Sequence, residues 1–197
     1  MSLPSHLNLI GVVLAGGKST RMGTDKAQLK VQGKTMLDRT IDLLKEVGVK
    51  DVIVCRNEAG YLADKYPNSG PVGGIHSVLE HLLPSSKRHL PTKKLKALLI
   101  LPVDMPLLSK SILEDLINCG AEMYSSLRFK DQPLPLFLLA NEEVRDCAKL
   151  IAKSDKRSIK RLVNCLSCAS ITTEQQQPFF NTNDPLQWQD AIEQLTT

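Results

Sequence analysis

"VVLAGGKSTRMGTDK", residues 12–26, is the stretch on which the fold class turns. An unbroken apolar run from Leu9 to Ala15 ends on paired glycines and a polar loop carrying Lys18, Arg21 and Lys26. Continuous apolar character, as opposed to alternation, fits a strand buried on both faces of a parallel sheet. Gly-Gly-Lys-Ser invites a P-loop reading, which needs G-x-x-x-x-G-K-[ST]. Counting back from Gly17-Lys18-Ser19 puts Val12 where the first glycine must stand, and Gly11 is one residue too early. The motif fails by one position, and G-x-G-x-x-G is absent as well. Two properties suited to phosphate remain. Gly16 and Gly17 let main-chain amides approach a ligand with no Cβ in the way. Three cations within nine residues can neutralise much of a triphosphate. The bland reading is a glycine turn with solvated basic residues.

Outward from that loop, strand-length apolar runs alternate with segments of helical period. Residues 36–47 place Leu37, Ile41, Leu44 and Val47 on one face of an amphipathic helix that Gly48 would end. Strands are predicted at 51–55 and 95–101, with helices at 75–83 and at 109–118, the latter capped by Ser109. This rhythm of strand, loop, helix and strand predicts right-handed βαβ units. The last third is less regular, with strands at 134–140 and 169–172 and helices at 141–151, 158–164 and 185–195. The basic stretch 84–94, PSSKRHLPTKK, reads as an exposed loop, either simply solvated or a rim for an anionic substrate.

With 197 residues, 42% hydrophobic and 23% charged, the chain can bury one sizeable core, built mainly from Leu, Ile and Val because aromatics are only 4%. One domain, 1–197, is expected. A net charge of +4 spread along the chain suits an anionic small molecule and falls short of a nucleic-acid signature. No segment has the length and apolarity of a membrane span or the layout of a signal peptide, so a cytoplasmic protein is expected. Five scattered cysteines read as reduced thiols. Only Cys165 and Cys168 have redox-like or metal-like spacing, and no second pair completes a zinc site.

The stretch "LAGGKSTRMGTDK" closely resembles L-A-[GA]-G-x-x-x-R-M-G-x-D-K, the N-terminal signature of nucleotidyltransferases that activate small phosphorylated compounds. Within that superfamily it most resembles the molybdenum cofactor guanylyltransferase family. Further matches follow in family order: GKTMLDRTIDLL (33–44), GPVGGIHSVL (70–79), LPVDMPLL (101–108), QPLPLF (132–137), KRSIKRLV (156–163) and FFNTNDP (179–185). The resemblance implies a three-layer α/β/α fold with a mostly parallel sheet, the Rossmann-like architecture of nucleotide-diphospho-sugar transferases. It implies a nucleotide-binding part at about 8–120 and an acceptor-side part at about 121–197. The implied reaction is transfer of GMP from GTP to the terminal phosphate of Mo-molybdopterin with release of pyrophosphate, dependent on Mg²⁺. Molybdoenzyme chaperones or other cofactor-biosynthesis proteins are the implied protein partners, with no nucleic acid and no membrane.

Such a reaction works by positioning and charge neutralisation, with a divalent metal held by one or two carboxylates. Asp104 follows the buried run LLIL, beside the glycine loop if the two strands are neighbours, and is the candidate metal ligand; the alternative is a turn or cap ahead of Ser109. Lys26 is expected to steady the α-phosphate and Arg21 to contact the departing phosphates, with Asp25 orienting these cations. Leu14, Ala15, Gly16, Gly17, Asn57 and Gly73 complete the expected nucleotide set. Leu-Ala-Gly-Gly and Pro102-Val-Asp-Met-Pro106 are of the guanylyl kind, whereas related cytidylyl enzymes tend to carry Leu-Ala-Ala-Gly and Gly-Asp-Gln-Pro. A larger purine fits better where no methyl group stands. The chain departs from the family pattern where an Asn usually follows the second strand: Cys55 stands there, with Asn57 two residues later and Asp64 a loose match to a guanine-side Asp. Asn181 and Asn183 match the family's N-x-N, either touching substrate or metal, or simply capping the last helix. Two other readings stay open: a relative using CTP or a sugar or polyol phosphate acceptor, and a nucleotide-binding module without turnover.

Overall fold

The computed structural model describes residues 3–16, 23–66, 68–84 and 94–196. Its elements run β1 (Leu7–Leu14), β2 (Lys30–Val31), β3 (Lys34–Thr35), α1 (Met36–Glu46), β4 (Asp51–Cys55), α2 (Gly70–Leu82), β5 (Leu95–Pro102), α3 (Lys110–Met123), β6 (Leu127–Phe129), β7 (Leu136–Leu139), α4 (Glu142–Ala152), α5 (Ile159–Cys165), β8 (Ala169–Ile171) and α6 (Pro185–Thr196). Six strands form one sheet in the order β4-β1-β5-β7-β6-β8, and β2 with β3 makes a small separate hairpin.

The pairs β1–β4, β1–β5 and β6–β8 are parallel, while β7 runs antiparallel to both β5 and β6. The two central strands are the most apolar: every residue from Ala97 to Leu101 and from Val12 to Val13 is fully buried. Full burial on both faces is why these strands read as unbroken apolar runs and not as alternation. Helices cover each face. A Cβ at Gly11 of β1 would meet Leu44 of α1, and a Cβ at Gly120 of α3 would meet Phe137 of β7, whose partner Leu99 is in turn the partner of Gly11. On the other face α2 lies over Leu14, and α4 and α5 pack on α2.

Local chemistry explains most boundaries. Thr35 caps α1 by accepting from the Asp38 amide at 3.0 Å, and Gly48, at φ +90°, ends that helix where the sequence predicts. Ser109, Asn141 and Ser158 likewise accept from amides three residues on. Helix α2 begins at Gly70, five residues ahead of the predicted start at 75. Pro71 is tolerated in a first turn, whose amides lack intrahelical partners anyway, and the glycines of GPVGG allow the close packing described below. The α3 helix also continues past Asn118 to Met123. Strand β6 and the β2–β3 hairpin were not predicted, being too short to show a period.

Candidate active site

Parallel pairing aligns the carboxyl ends of three strands: Leu14 stands opposite both Cys55 and Pro102. Residues 15–16, 56–57 and 103–104 therefore leave the sheet side by side, where an open α/β sheet places its ligands. Two cavities open there, of about 670 Å³ and 420 Å³. They share Leu14, Ala15, Gly16, Asp25 and Pro71 as a common border. The larger is walled by the 55–58 segment, Asp64 and Gly74; the smaller holds Lys26, Asp104, Asn181 and Asn183.

Lys26 is carried on a single 3₁₀ turn, Lys26–Gln28, capped by Asp25, whose Oδ1 accepts from the Ala27 amide at 3.0 Å. Ala27 is fully buried and pins that turn to the core. The Lys26 ammonium donates to Asp104 Oδ2 at 3.2 Å and to Asn183 Oδ1 at 3.0 Å. Residues from three distant parts of the chain thus meet at one cation. Asp104 arrives as the second residue beyond β5. Asn183 is brought there by Thr182, whose amide and hydroxyl donate to the Asp104 carbonyl at 2.9 and 3.2 Å.

This geometry removes the capping alternative for two residues. Asp104 does not cap α3, since Ser109 does that and the Asp104 carboxylate faces Lys26. Asn183 does not cap α6 either: Asp184 accepts from the Gln187 amide at 2.9 Å, leaving the Asn183 side chain for Lys26. Asn181 lines the same cavity. Asp104, Asn181 and Asn183 offer hard oxygen donors around a half-exposed pocket, the donor chemistry preferred by Mg²⁺, which keeps several positions for water and phosphate. Among the described residues no cluster of three or more His, Cys, Asp or Glu forms a self-sufficient metal cage.

In the larger cavity, Asn57 Oδ1 accepts from the Asp64 amide at 2.8 Å, so both departures from the family pattern stand on one wall. Burial raises the Asp64 pKa, partly offset by a hydrogen bond from Asn57. Burial, with a smaller push from Asp64, lifts the Cys55 thiol to about 12, so it is a neutral wall residue at physiological pH. Among the described residues a Cβ at Gly16 would meet only the Cys55 carbonyl, at an ordinary 3.7 Å, and Gly16 lines both cavities. Gly73 faces Ser69 within its own turn, and its neighbour Gly74 lines the cavity. Gly17, Lys18 and Arg21 lie outside the described residues, as does 85–93 of the basic stretch. Cys165 is exposed and Cys168 half-buried, and both are free thiols.

One residue of this wall had no signal in the sequence. Arg56 follows β4 like any charged residue leaving a sheet, yet its side chain is only 7% exposed and ion-paired to both Asp25 and Glu58. Asp25 therefore orients the site through Arg56 and its capping bond.

Residues 11–171 match the family model for the MobA-like NTP transferase domain. A protein of Xanthomonas euvesicatoria pv. vesicatoria named molybdenum cofactor guanylyltransferase is 35% identical over 188 residues, spanning 92% of this chain and 93% of that protein. The chain belongs to the MobA-like NTP transferase family. As a member of it the protein is a nucleotidyltransferase. A probable molybdenum cofactor guanylyltransferase of Opitutus terrae is 28% identical over 167 residues, 80% of this chain and 79% of that protein. Molybdopterin-guanine dinucleotide biosynthesis protein A from Archaeoglobus fulgidus shares the fold of this MobA-like chain at a TM-score of 0.72 with 19% identity, covering 95% of this chain and 98% of that one. The 2-C-methyl-D-erythritol 4-phosphate cytidylyltransferase of Thermus thermophilus shares it at 0.65 with 13% identity, covering 94% and 98%. The expected α/β/α architecture with a mostly parallel sheet is thus the fold of this family. No described helix is long and apolar enough to cross a membrane.

Proposed function

We propose that this nucleotidyltransferase transfers GMP from GTP to the terminal phosphate of Mo-molybdopterin, forming molybdopterin guanine dinucleotide and pyrophosphate. The observation that carries this reading is the Lys26–Asp104–Asn183 contact beside a border shared by two cavities, one on each side of Gly16. The nucleoside occupies the larger cavity, with the base against Gly16, Asn57, Asp64 and Gly74, in the nucleotide part at about 8–120. The acceptor enters the smaller one, against Asn181 and residues of the 121–197 part. The α-phosphate then lies at the border within reach of Lys26, and an acceptor phosphate oxygen attacks it as the bond to the β-phosphate bridging oxygen breaks. Lys26 neutralises charge that builds on the α-phosphate, Asp104 and Asn183 hold the ammonium in place, and Arg21 takes the departing phosphates. Asp104, with Asn181 or Asn183 adjoining, would hold a Mg²⁺ ion, which would supply further charge neutralisation. The assignment of these roles rests on the family likeness together with the contacts above. The product passes in the cytoplasm to molybdoenzyme chaperones or other cofactor-biosynthesis proteins.

Thermal-shift titration with GTP, CTP, ATP and UTP, each with Mg²⁺, tests the nucleotide. Saturation at a hundred times Kd adds about 2.7 kcal/mol to stability, or roughly 5–10 °C in Tm for a chain of this size. GTP is expected to give that shift and the others a smaller one. A larger shift with CTP would overturn the guanylyl assignment.

A further inference from the structure

Arg56 is expensive to bury. Its side chain is 7% exposed, and Nη2 alone serves both carboxylates, Asp25 and Glu58. Nε and Nη1 are enclosed and have no hydrogen-bond partner among the described residues. Each idle N–H forfeits a hydration bond, so an apolar side chain of similar size would suit this position better if only packing mattered. Burial without full satisfaction points to a task for the charge.

Its contacts say which task. Asp25 divides its two oxygens: Oδ1 caps the turn that carries Lys26, and Oδ2 accepts from Arg56. On its own side, the Arg56 amide donates to the Leu62 carbonyl at 3.0 Å and the Leu62 amide to the Val54 carbonyl at 3.0 Å, which ties the 56–62 segment to the end of β4. The guanidinium therefore spans from a wall fixed to the sheet to the short turn whose lysine must sit at Asp104.

Building on the guanylyl-transfer reading, we propose that Arg56 is a positioning residue for the transfer step, holding Lys26 at Asp104 by anchoring Asp25. It touches no reacting atom; it sets where the Lys26 ammonium stands. Loss of that anchor lets the Lys26 turn wander, while the backbone bonds of the 56–62 segment still hold the cavity wall to β4.

The test compares Arg56→Met, Asp25→Asn, the double variant and Arg56→Lys. Each is assayed for pyrophosphate release with GTP, Mg²⁺ and a molybdopterin-bearing acceptor, and for modification of Lys26 by an acetylating reagent, read by mass spectrometry without nucleotide. Arg56→Met is expected to lower kcat ten- to a hundredfold with KM for GTP changed less than threefold, to leave Tm unchanged or higher, and to speed Lys26 acetylation at least threefold relative to Lys34. Asp25→Asn should do the same, and the double variant should lose no more than either single one. Arg56→Lys, which keeps one charge-assisted contact, should recover part of kcat. Should Arg56→Met fail to fold, Asp25→Asn reads the same link from its other end. Multiplying losses in the double variant, a loss confined to KM, or unchanged Lys26 acetylation would overturn the proposal. If the wild type itself releases no pyrophosphate, the guanylyl-transfer reading has failed, and the acetylation rates alone still decide the role of Arg56.

Discussion

Gly16→Ala separates the demands of the fold from those of the ligand. The backbone at Gly16 is outside the left-handed region, and among the described residues the added methyl would meet only the Cys55 carbonyl at 3.7 Å, an ordinary contact. The fold therefore has no need of glycine here, and alanine should add about 0.4–1 kcal/mol to stability by narrowing the unfolded ensemble. Gly16 borders both cavities. A purine nucleotide filling the larger one must retreat or repack, an intrusion that costs about 1–3 kcal/mol, hence a GTP Kd roughly 5- to 150-fold weaker. A smaller pyrimidine should lose less. Urea unfolding without ligand, and calorimetric titration with GTP and CTP in the presence of Mg²⁺, measure the two halves independently. A ligand-free stability loss above about 1 kcal/mol, or a GTP affinity that does not change, would refute the reasoning.

Two further outcomes concern stability. Gly120→Ala, although it replaces a helical glycine with the best helix former, should destabilise by about 1–3 kcal/mol, because the new methyl would lie 2.5 Å from the fully buried Phe137 ring; a lower urea midpoint at constant m value shows it, and a higher midpoint contradicts it. Asp64→Asn should raise Tm at pH 7 and weaken GTP binding. Its folded pKa lies above the ordinary carboxylate value because burial disfavours the charge, so the benefit of protonation is complete below about 3.8 and gone once pH rises through the folded value. The Tm advantage of Asn should accordingly shrink as pH falls from 7 towards 4, and an advantage that grew on acidification would place the charge penalty elsewhere.

The parts of the fold that burial dictates were legible. Strands β1 and β5 carry continuous apolar runs because both faces are covered, and the caps Ser109, Asn141 and Ser158 announce their helices through one side-chain oxygen each. The place of Asp104 beside the glycine loop was legible from motifs at two strand ends, given that β1 and β5 are parallel neighbours; its contact with Lys26 was not. Elsewhere tertiary contacts overruled local signals. The predicted helix starts at 75, after GPVGG, because Gly and Pro break helices in isolation; in place, the missing Cβ of Gly74 makes room for the Cys55 side chain, which would otherwise stand 3.0 Å away. The LRF of β6 carries no period, and only β7 and β8 beside it make it a strand. Arg56 was invisible for a different reason: a charged residue after a strand is ordinarily solvated, and the partners that bury it come from residues 25 and 58.

Pyrophosphate release under single-turnover conditions, with GTP, Mg²⁺ and Mo-molybdopterin, bears most directly on guanylyl transfer at the Lys26–Asp104 border. Wild-type protein should release one pyrophosphate per GMP transferred, and Asp104→Asn, which removes the negative charge facing Lys26 and the carboxylate proposed to hold the metal, should do so roughly 10²–10³-fold more slowly. Its Tm should differ little, since the Lys26–Asp104 pair is partly exposed and such pairs contribute about 1 kcal/mol or less. Equal rates for the two proteins, or no release from GTP by the wild type, would contradict the account.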